Sequence, residues 1–574
     1  MTTKTRFALA VTLALATSLA CAKQPSPQEK AAFETLARRY LMAGYAFNPS
    51  FATSWGIHDY DDSLENWTPE RIQSEQERVR DAMKELDGIR REELDPATQI
   101  DYDLLRTGMN GNLNYLTELR GWENDPGQYN YGGALLSMIT VDYEPLDQRM
   151  RSLTRRLEQV PRQFANARLN LKNPPQLFTQ FAMGDFEGTI SFLENDVTRA
   201  FASVTDPTLR AEFDAAKKTA VAATKDHIAW MKSTLLPASH GSFILGEDKY
   251  RKRLRYEEMI DLPIDTLLAV GQRELDRLEA RYKESMQRVD PSASQDAIVA
   301  RMRADHPPAD SILDYARALC EEARAFTIQS GFIKIPDNAH ITVRPTPEFA
   351  ASRSFASFDA PGPFETKADD AYYNITLPDP KWPKQQVEEH LQGFSRWTLP
   401  SVSVHEVYPG HYVHHLYAKR APSIVRKSIG SGAFAEGWGL YTEEGLLDEG
   451  FHKDDPRVAV GVMRWALVRA CRLQVGIRVH TRGMSLEDGT KFFMEHAGLE
   501  RANAEREAGR AAFDPTYSVY TLGALEIRKL RDDYKREQGS NFNLGQFHET
   551  ILSQGALPVA LLRKMLLKQE GTIL

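Results

Sequence analysis

Apolar residues recur at three- and four-residue spacing along most of this chain. The stretches 68–94, 186–235, 256–286 and 310–330 carry the pattern, rich in Ala, Leu, Glu, Lys and Arg. A period near 3.6 gives a helix one apolar face, and these residue types favour that backbone, so the pattern predicts helices. Proline-containing joints at 173–176, 306–310 and 377–383 separate them. Between about 336 and 378 the pattern changes. "HITVRPTPEF", "SRSFASFDAPGPFE" and "AYYNITLP" have short β-branched and aromatic runs bounded by Pro, Gly and Asp, which predicts a small sheet. "SFILGEDKY" (242–250) is a second strand candidate. The expectation is a mainly α protein, helical over 23–240, with the sheet and further helices over 241–574.

The first residues read differently. "MTTKTRFALAVTLALATSLACAKQ" has a basic start, an apolar run from Phe7 to Ala20 and then small residues. That run is shorter than the roughly 20 residues a bilayer requires, so it reads as a secretory signal peptide. Two processing readings stand. "SLAC" resembles a lipobox, which would leave a lipidated Cys21 as a membrane anchor, while "ACA" would place cleavage after Ala22. Either sends the protein out of the cytoplasm, to the periplasm or envelope. Cys320 and Cys471 sit in helix-like contexts and read as buried thiols, with one disulfide between them as the alternative. Hydrophobic content of 42% and charged content of 26% are those of a globular protein. A net charge of −8 argues against nucleic acid as a partner, since that would demand a basic patch.

"VHEVYPGHYVHH" (404–415) concentrates four of the chain's 14 histidines beside a glutamate. A catalytic zinc takes three protein ligands and keeps one position open. In the helical H-E-x-x-H motif the histidines sit four apart on one face, with the glutamate as base. Here His405 and His411 are six apart, which on a regular helix turns them by about 240°. A bulge at Pro409-Gly410 would absorb the excess and bring them together, because proline lacks an N–H and glycine accepts unusual dihedrals. Glu406 then has the place of the base. The rival pairing is His411 with His415, at i,i+4 spacing, which leaves Glu406 without a task. His414 and His415 otherwise read as supporting or surface groups. A third ligand is expected on a following helix. "GAFAEGWGLYTEEGLL" (432–447) offers Glu436 among Phe434, Trp438 and Leu440, with Glu443 two turns on and almost the same face. A carboxylate in that apolar setting needs a partner, and a metal is one. Glycines flanking Trp438 would let this helix pack closely on the site.

"HEVYPGHYVHH" followed by "FAEGWGLYTEE" resembles the bacterial DUF885 family, often secreted and placed among gluzincin-type zinc peptidases. "LGEDKYRKRLRYEEMIDLPIDTLLAVGQRELDRLE" and "YSVYTLGALEIRKLR" extend the likeness over most of the mature chain. The resemblance implies a helix-rich zinc-metallopeptidase-like fold with a small β-sheet beside a deep active-site cleft. It implies His405, His411 and Glu436 as Zn2+ ligands, Glu406 as general base and the Tyr517/Tyr520/Gly523 stretch as cleft lining. The chain departs from the family at "GIRVH" (476–480), which keeps His480 but lacks an acidic partner.

The chemistry expected is attack on a peptide bond by a zinc-activated water, with Glu406 taking its proton and delivering it to the leaving amine. Tyr520, or after it Tyr517, is expected to donate to the tetrahedral oxygen. Arg528, Arg531 and His480 are candidate substrate contacts. The "AYYNITLP" strand could pair with an extended peptide, with Tyr373 and Asn374 near the cleft. Glu443 would support the ligands. Two other classes stay open. One is a zinc hydrolase of non-peptide amides such as acylated amino acids, and the other a non-catalytic peptide-binding envelope lipoprotein.

Overall fold

The computed structural model describes residues 25–336, 339–347, 355–571 and 573–574; the signal-peptide segment with Cys21 lies outside the described residues. Helix makes up 71% of the structure and strand 3%. An average globular protein has about one-third helix, so this is a helix-rich fold, as the periodicity predicts. Helices α1 (Pro27–Phe47), α2 (Pro96–Asn114) and α3 (Pro207–Trp230) begin alike. Each opens with proline directly after a Ser or Asp whose side chain accepts a first-turn N–H. The cap satisfies a donor that the helix leaves orphaned, and proline removes another.

The sheet lies where the sequence places it. It consists of β1 (Ile341–Pro345), β2 (Ala356–Asp359) and β3 (Ala371–Ile375). The order is β1-β3-β2, with β1 parallel to β3 and β2 antiparallel to it. The second strand candidate does not form. Residues 242–246 belong to no strand, and the helix Glu247–Glu258 takes over the rest. Glu247 and Asp248 in its first turn favour the positive end of a helix.

Six later helices build the site: α4 (Leu399–Glu406), α5 (His411–Ala418), α6 (Gly432–Asp448), α7 (Pro456–Thr481), α8 (Arg501–Phe513) and α9 (Val519–Gln538). One apolar core joins Leu36 of α1 and Leu105 of α2 to Val404 of α4, Trp438 of α6 and Val468 of α7. A second core gathers Leu153, Phe164, Phe186 and Phe213. The core around the site therefore crosses the boundary expected near 240, because an apolar helix face announces burial without naming its partner. Cys320 and Cys471 are free, buried thiols. Among the described residues no helix is long and apolar enough to cross a membrane.

Candidate metal centre

The expected bulge is a full break. α4 ends at Glu406 and α5 begins at His411. The turn between them is tight: the Gly410 N–H donates to the Val404 carbonyl at 3.0 Å. A Cβ on Gly410 would lie 1.9 Å from the His405 carbonyl oxygen, so only glycine fits. Breaking the helix frees His411 from the rotation that separates it from His405, and the two rings meet edge to face at 4.6 Å. Trp438 fastens α6 to this break, its indole N–H donating to the Pro409 carbonyl at 2.9 Å. The two glycines beside it divide the packing. A Cβ at Gly437 would collide with the Gly523 backbone of α9 at 2.4 Å, and one at Gly439 with the His405 ring at 2.6 Å.

Glu436 completes the cluster. Its Oε2 lies 3.5 Å from His405 Nε2 and 3.4 Å from His411 Nε2. The three ligand atoms all fall within 4.8 Å of one another, the only such grouping of three among the described residues. His415 stands outside it, with its ring 5.7 Å from that of Phe358, so the rival pairing is not assembled.

Beneath His405, Nδ1 meets Glu443 Oε1 at 2.7 Å. Glu443 in turn accepts from the Ser401 hydroxyl and has Arg469 Nη2 3.2 Å from Oε1. Burial opposes charge on His405, but Glu436 and Glu443 outweigh it and raise its pKa to about 9. Burial also opposes charge on Glu436, yet His411 and His405 hold it well below the usual carboxylate range. Glu436 Oε2 is buried and has no hydrogen-bond partner among the described residues. Two imidazoles and a desolvated carboxylate oxygen thus converge on a point that favours positive charge. This donor set fits a divalent metal such as zinc.

Glu406 stands beside the cluster. Its Oε2 accepts from the Phe358 N–H of β2 at 3.1 Å. Burial raises its pKa above the ordinary carboxyl value, opposed in part by His411 and His405. Tyr520, in the first turn of α9, lies nearly parallel to the His405 ring at 6.4 Å. Arg472 and Arg510 sit over its face, 5.1 and 5.9 Å from the ring centre.

The other candidates are engaged elsewhere. Tyr517 is buried and donates to the Glu507 carbonyl at 3.4 Å. Tyr373 and Asn374 are buried in the middle strand, where Tyr373 meets the Ser403 hydroxyl at 3.3 Å. A peptide cannot add to β3, which already has a neighbour on each side; the edge strand next to Glu406 is β2, whose Phe358 N–H is taken by that carboxylate. His480 is buried, with Nε2 2.7 Å from the Ala511 carbonyl oxygen. Arg528 pairs with Glu444 and Glu274, and Arg531 with Asp532. Sequence reasoning missed Arg469 and the indole bond of Trp438. A signal for Arg469 existed, since an arginine inside the apolar run "WALVRACRLQV" calls for a buried partner.

Known proteins share this architecture. A candidate lipoprotein of unknown function from Shewanella oneidensis superposes with a TM-score of 0.79 at 26% identity, over 93% of this chain and 99% of its own. A candidate lipoprotein from Colwellia psychrerythraea shares the fold with a TM-score of 0.78 at 18% identity, over 94% and 99%. None of the curated proteins matches the sequence. The family described as "Bacterial protein of unknown function (DUF885)" matches residues 49–566, which take in the broken helix pair and the glutamate helix, and the chain belongs to that family.

Proposed function

We propose that the protein is a zinc-dependent metallopeptidase that cleaves short peptides in the cell envelope. The observation that carries this reading is the convergence of His405 Nε2, His411 Nε2 and Glu436 Oε2 within 4.8 Å, with Glu406 adjoining. These three residues would hold the metal. Zinc, when bound, supplies Lewis acidity that lowers the pKa of a water to about 7 and polarises a carbonyl. Glu443 accepts a hydrogen bond from the His405 Nδ1–H, which fixes the tautomer with Nε2 as the ligand atom, and Ser401 and Arg469 keep Glu443 in place.

Glu406 moves the proton. Its Oε2 is engaged by Phe358, so Oε1 is the atom to accept a proton from water and return it to the leaving nitrogen. Tyr520 offers a neutral hydrogen-bond donor to the tetrahedral oxygen. The signal-peptide-like pattern of the N-terminal sequence and the candidate lipoproteins that share the fold support an envelope location.

The test is metal content by elemental analysis with hydrolysis of a mixed peptide library. About one zinc per chain in wild type, lost in His411→Ala, is the expected result. Glu406→Gln should keep its zinc and lose about 10²–10⁴-fold in hydrolysis. Zinc without cleavage of any peptide would sink the peptidase reading and leave non-peptide amides or peptide binding.

A further inference from the structure

The small sheet has two unlike faces. Side chains alternate along a strand, and residues paired across strands share a face. Val343, Phe358 and Tyr373 are in register and point one way. There Phe358 meets Tyr412 and His415 of α5, and Tyr373 meets the Ser403 hydroxyl of α4. Arg344, Asp359, Tyr372 and Asn374 alternate with them and share the other face. That face is polar, yet it is covered. Arg344, Asp359 and Tyr372 line a cavity of about 180 Å³, room for roughly six waters at about 30 Å³ each. Gly133, Leu136 and Ser137 of the helix Gly132–Thr140 line it too. The same helix gives Ala134, Leu135 and Met138 to the second core. The cavity thus lies where the two cores meet, on the far face of the sheet from α4 and α5.

Asn374 arranges a cation and an anion on that wall. Its amide is fully buried, and its Oδ1 accepts from Arg344 Nε at 2.8 Å while its Nδ2 donates to Asp359 Oδ2 at 2.6 Å. The Arg344 guanidinium also lies on the Tyr372 ring, 3.5 Å from the centre. So held, the two charges stand side by side without closing: Arg344 Nη2 is 3.9 Å from Asp359 Oδ2, beyond hydrogen-bond reach. Nε is the only guanidinium nitrogen of Arg344 hydrogen-bonded among the described residues, and Nη2 is buried without a partner. Asp359 Oδ1 likewise has no partner among the described residues. The other basic group of the lining is already spent, since His58 bridges Glu365 at 2.8 Å and Asp61 at 3.0 Å. Leu136, Val141 and Pro361 add apolar surface to the cavity. A buried amide that holds opposite charges next to each other, each with bonding capacity left over, presents a matched plus and minus to a third party.

We propose that this cavity binds a free α-amino acid with an apolar side chain, its carboxylate on the Nη groups of Arg344, its ammonium on Asp359 Oδ1 and its side chain against Leu136 and Val141. An α-amino acid carries both charges on one carbon, so it answers a neighbouring pair of opposite charges at once. A simple carboxylate would face Asp359, and a simple amine would face Arg344, so each leaves a like charge opposed. The volume suits one amino acid and excludes a long peptide. Because the cavity lies across the sheet from the metal centre, the inference does not rest on the peptidase reading.

The test is calorimetric titration of the purified full chain with valine, valinamide and 3-methylbutanoate. The three share one branched skeleton; the second lacks the carboxylate charge and the third the ammonium. Valine should bind at a single site per chain, and each analogue at least about tenfold more weakly. Arg344→Met should weaken valine at least about tenfold. Asp359→Asn should weaken valine but not 3-methylbutanoate, because the charge that opposes the simple acid is gone. Gly133→Leu is the variant that decides if Arg344→Met fails to fold. A Cβ there meets nothing within 4 Å, so the new side chain fills the cavity from the helix and leaves Arg344 in place. It too should remove valine binding, with metal content as in wild type. No heat of binding with valine at millimolar concentration overturns the proposal, and so does an analogue that binds as tightly as valine. Valine binding that survives Gly133→Leu and is lost in His411→Ala belongs to the metal centre and overturns it as well.

Discussion

His405 and His227 are both closed off from water, at 3% and 0% exposure, and their regions treat them in opposite ways. His405 stands where α4, α6 and α7 bring Glu436, Glu443 and Arg469 together, and carboxylates raise its pKa to about 9. His227, on α3 in the second core, lies between Phe164 at 4.2 Å and Trp230 at 5.3 Å. Neither of its ring nitrogens has a hydrogen-bond partner among the described residues, and burial depresses its pKa to about 3. The same side chain is a node among carboxylates in one region and an apolar plate in the other. What decides is the company of carboxylates, not burial.

The same substitution at both positions gives the largest contrast. His405→Phe should abolish stoichiometric metal binding and leave Glu443 buried beside Arg469 without its imidazole. A broken buried pair costs about 3–5 kcal/mol, to be read from urea denaturation alongside metal content. His227→Phe should leave metal content as in wild type and change acid stability instead. The folded protein holds His227 neutral down to about pH 3, while the unfolded chain takes up a proton below the ordinary 6.5. Wild-type stability from this group is therefore complete above 6.5 and falls as pH drops toward 3. Relative to wild type, the variant should gain about 3 kcal/mol between pH 7 and pH 4. An unchanged difference between those pH values would mean that His227 finds a partner or water in solution.

Two smaller changes sharpen the picture around His405. Glu443→Gln keeps the shape but weakens the hold on Nδ1, and should cost about 10–100-fold in metal affinity, measured by competition with a chelator. Gly439→Ala pushes a methyl into the His405 ring, and should destabilise by about 1–3 kcal/mol. Metal affinity unaffected by both would mean that α6 does not orient the histidine.

Much of this was legible without coordinates. His405, Glu406, His411 and Glu436 are close together in the sequence, and the wrong spacing of the histidines pointed to Pro409-Gly410 as the place of adjustment. That works because metal-site chemistry needs particular side chains, and local breakers act on their own neighbours. The length of the adjustment was not legible. A bulge and a break differ in whether Gly410 can touch the turn of α4, a contact made across space. Tyr373 and Asn374 show the same limit, since strand propensity marks β3 but cannot say that β1 and β2 cover both its edges.

By itself, then, the sequence determined the helical character, the place of the sheet and the grouping of His405, His411 and Glu436. Each depends on periodicity, propensity or residue type over a few positions. Only the tertiary structure decided that Arg469 and Ser401 brace Glu443, that Trp438 ties α6 to the helix break, and that α1 and α2 share the core of the site. It also decided that the Arg344 guanidinium of β1 lies on the Tyr372 ring of β3. Those relations join residues tens to hundreds of positions apart. They follow from which faces find one another as the chain packs, and no local pattern carries that information.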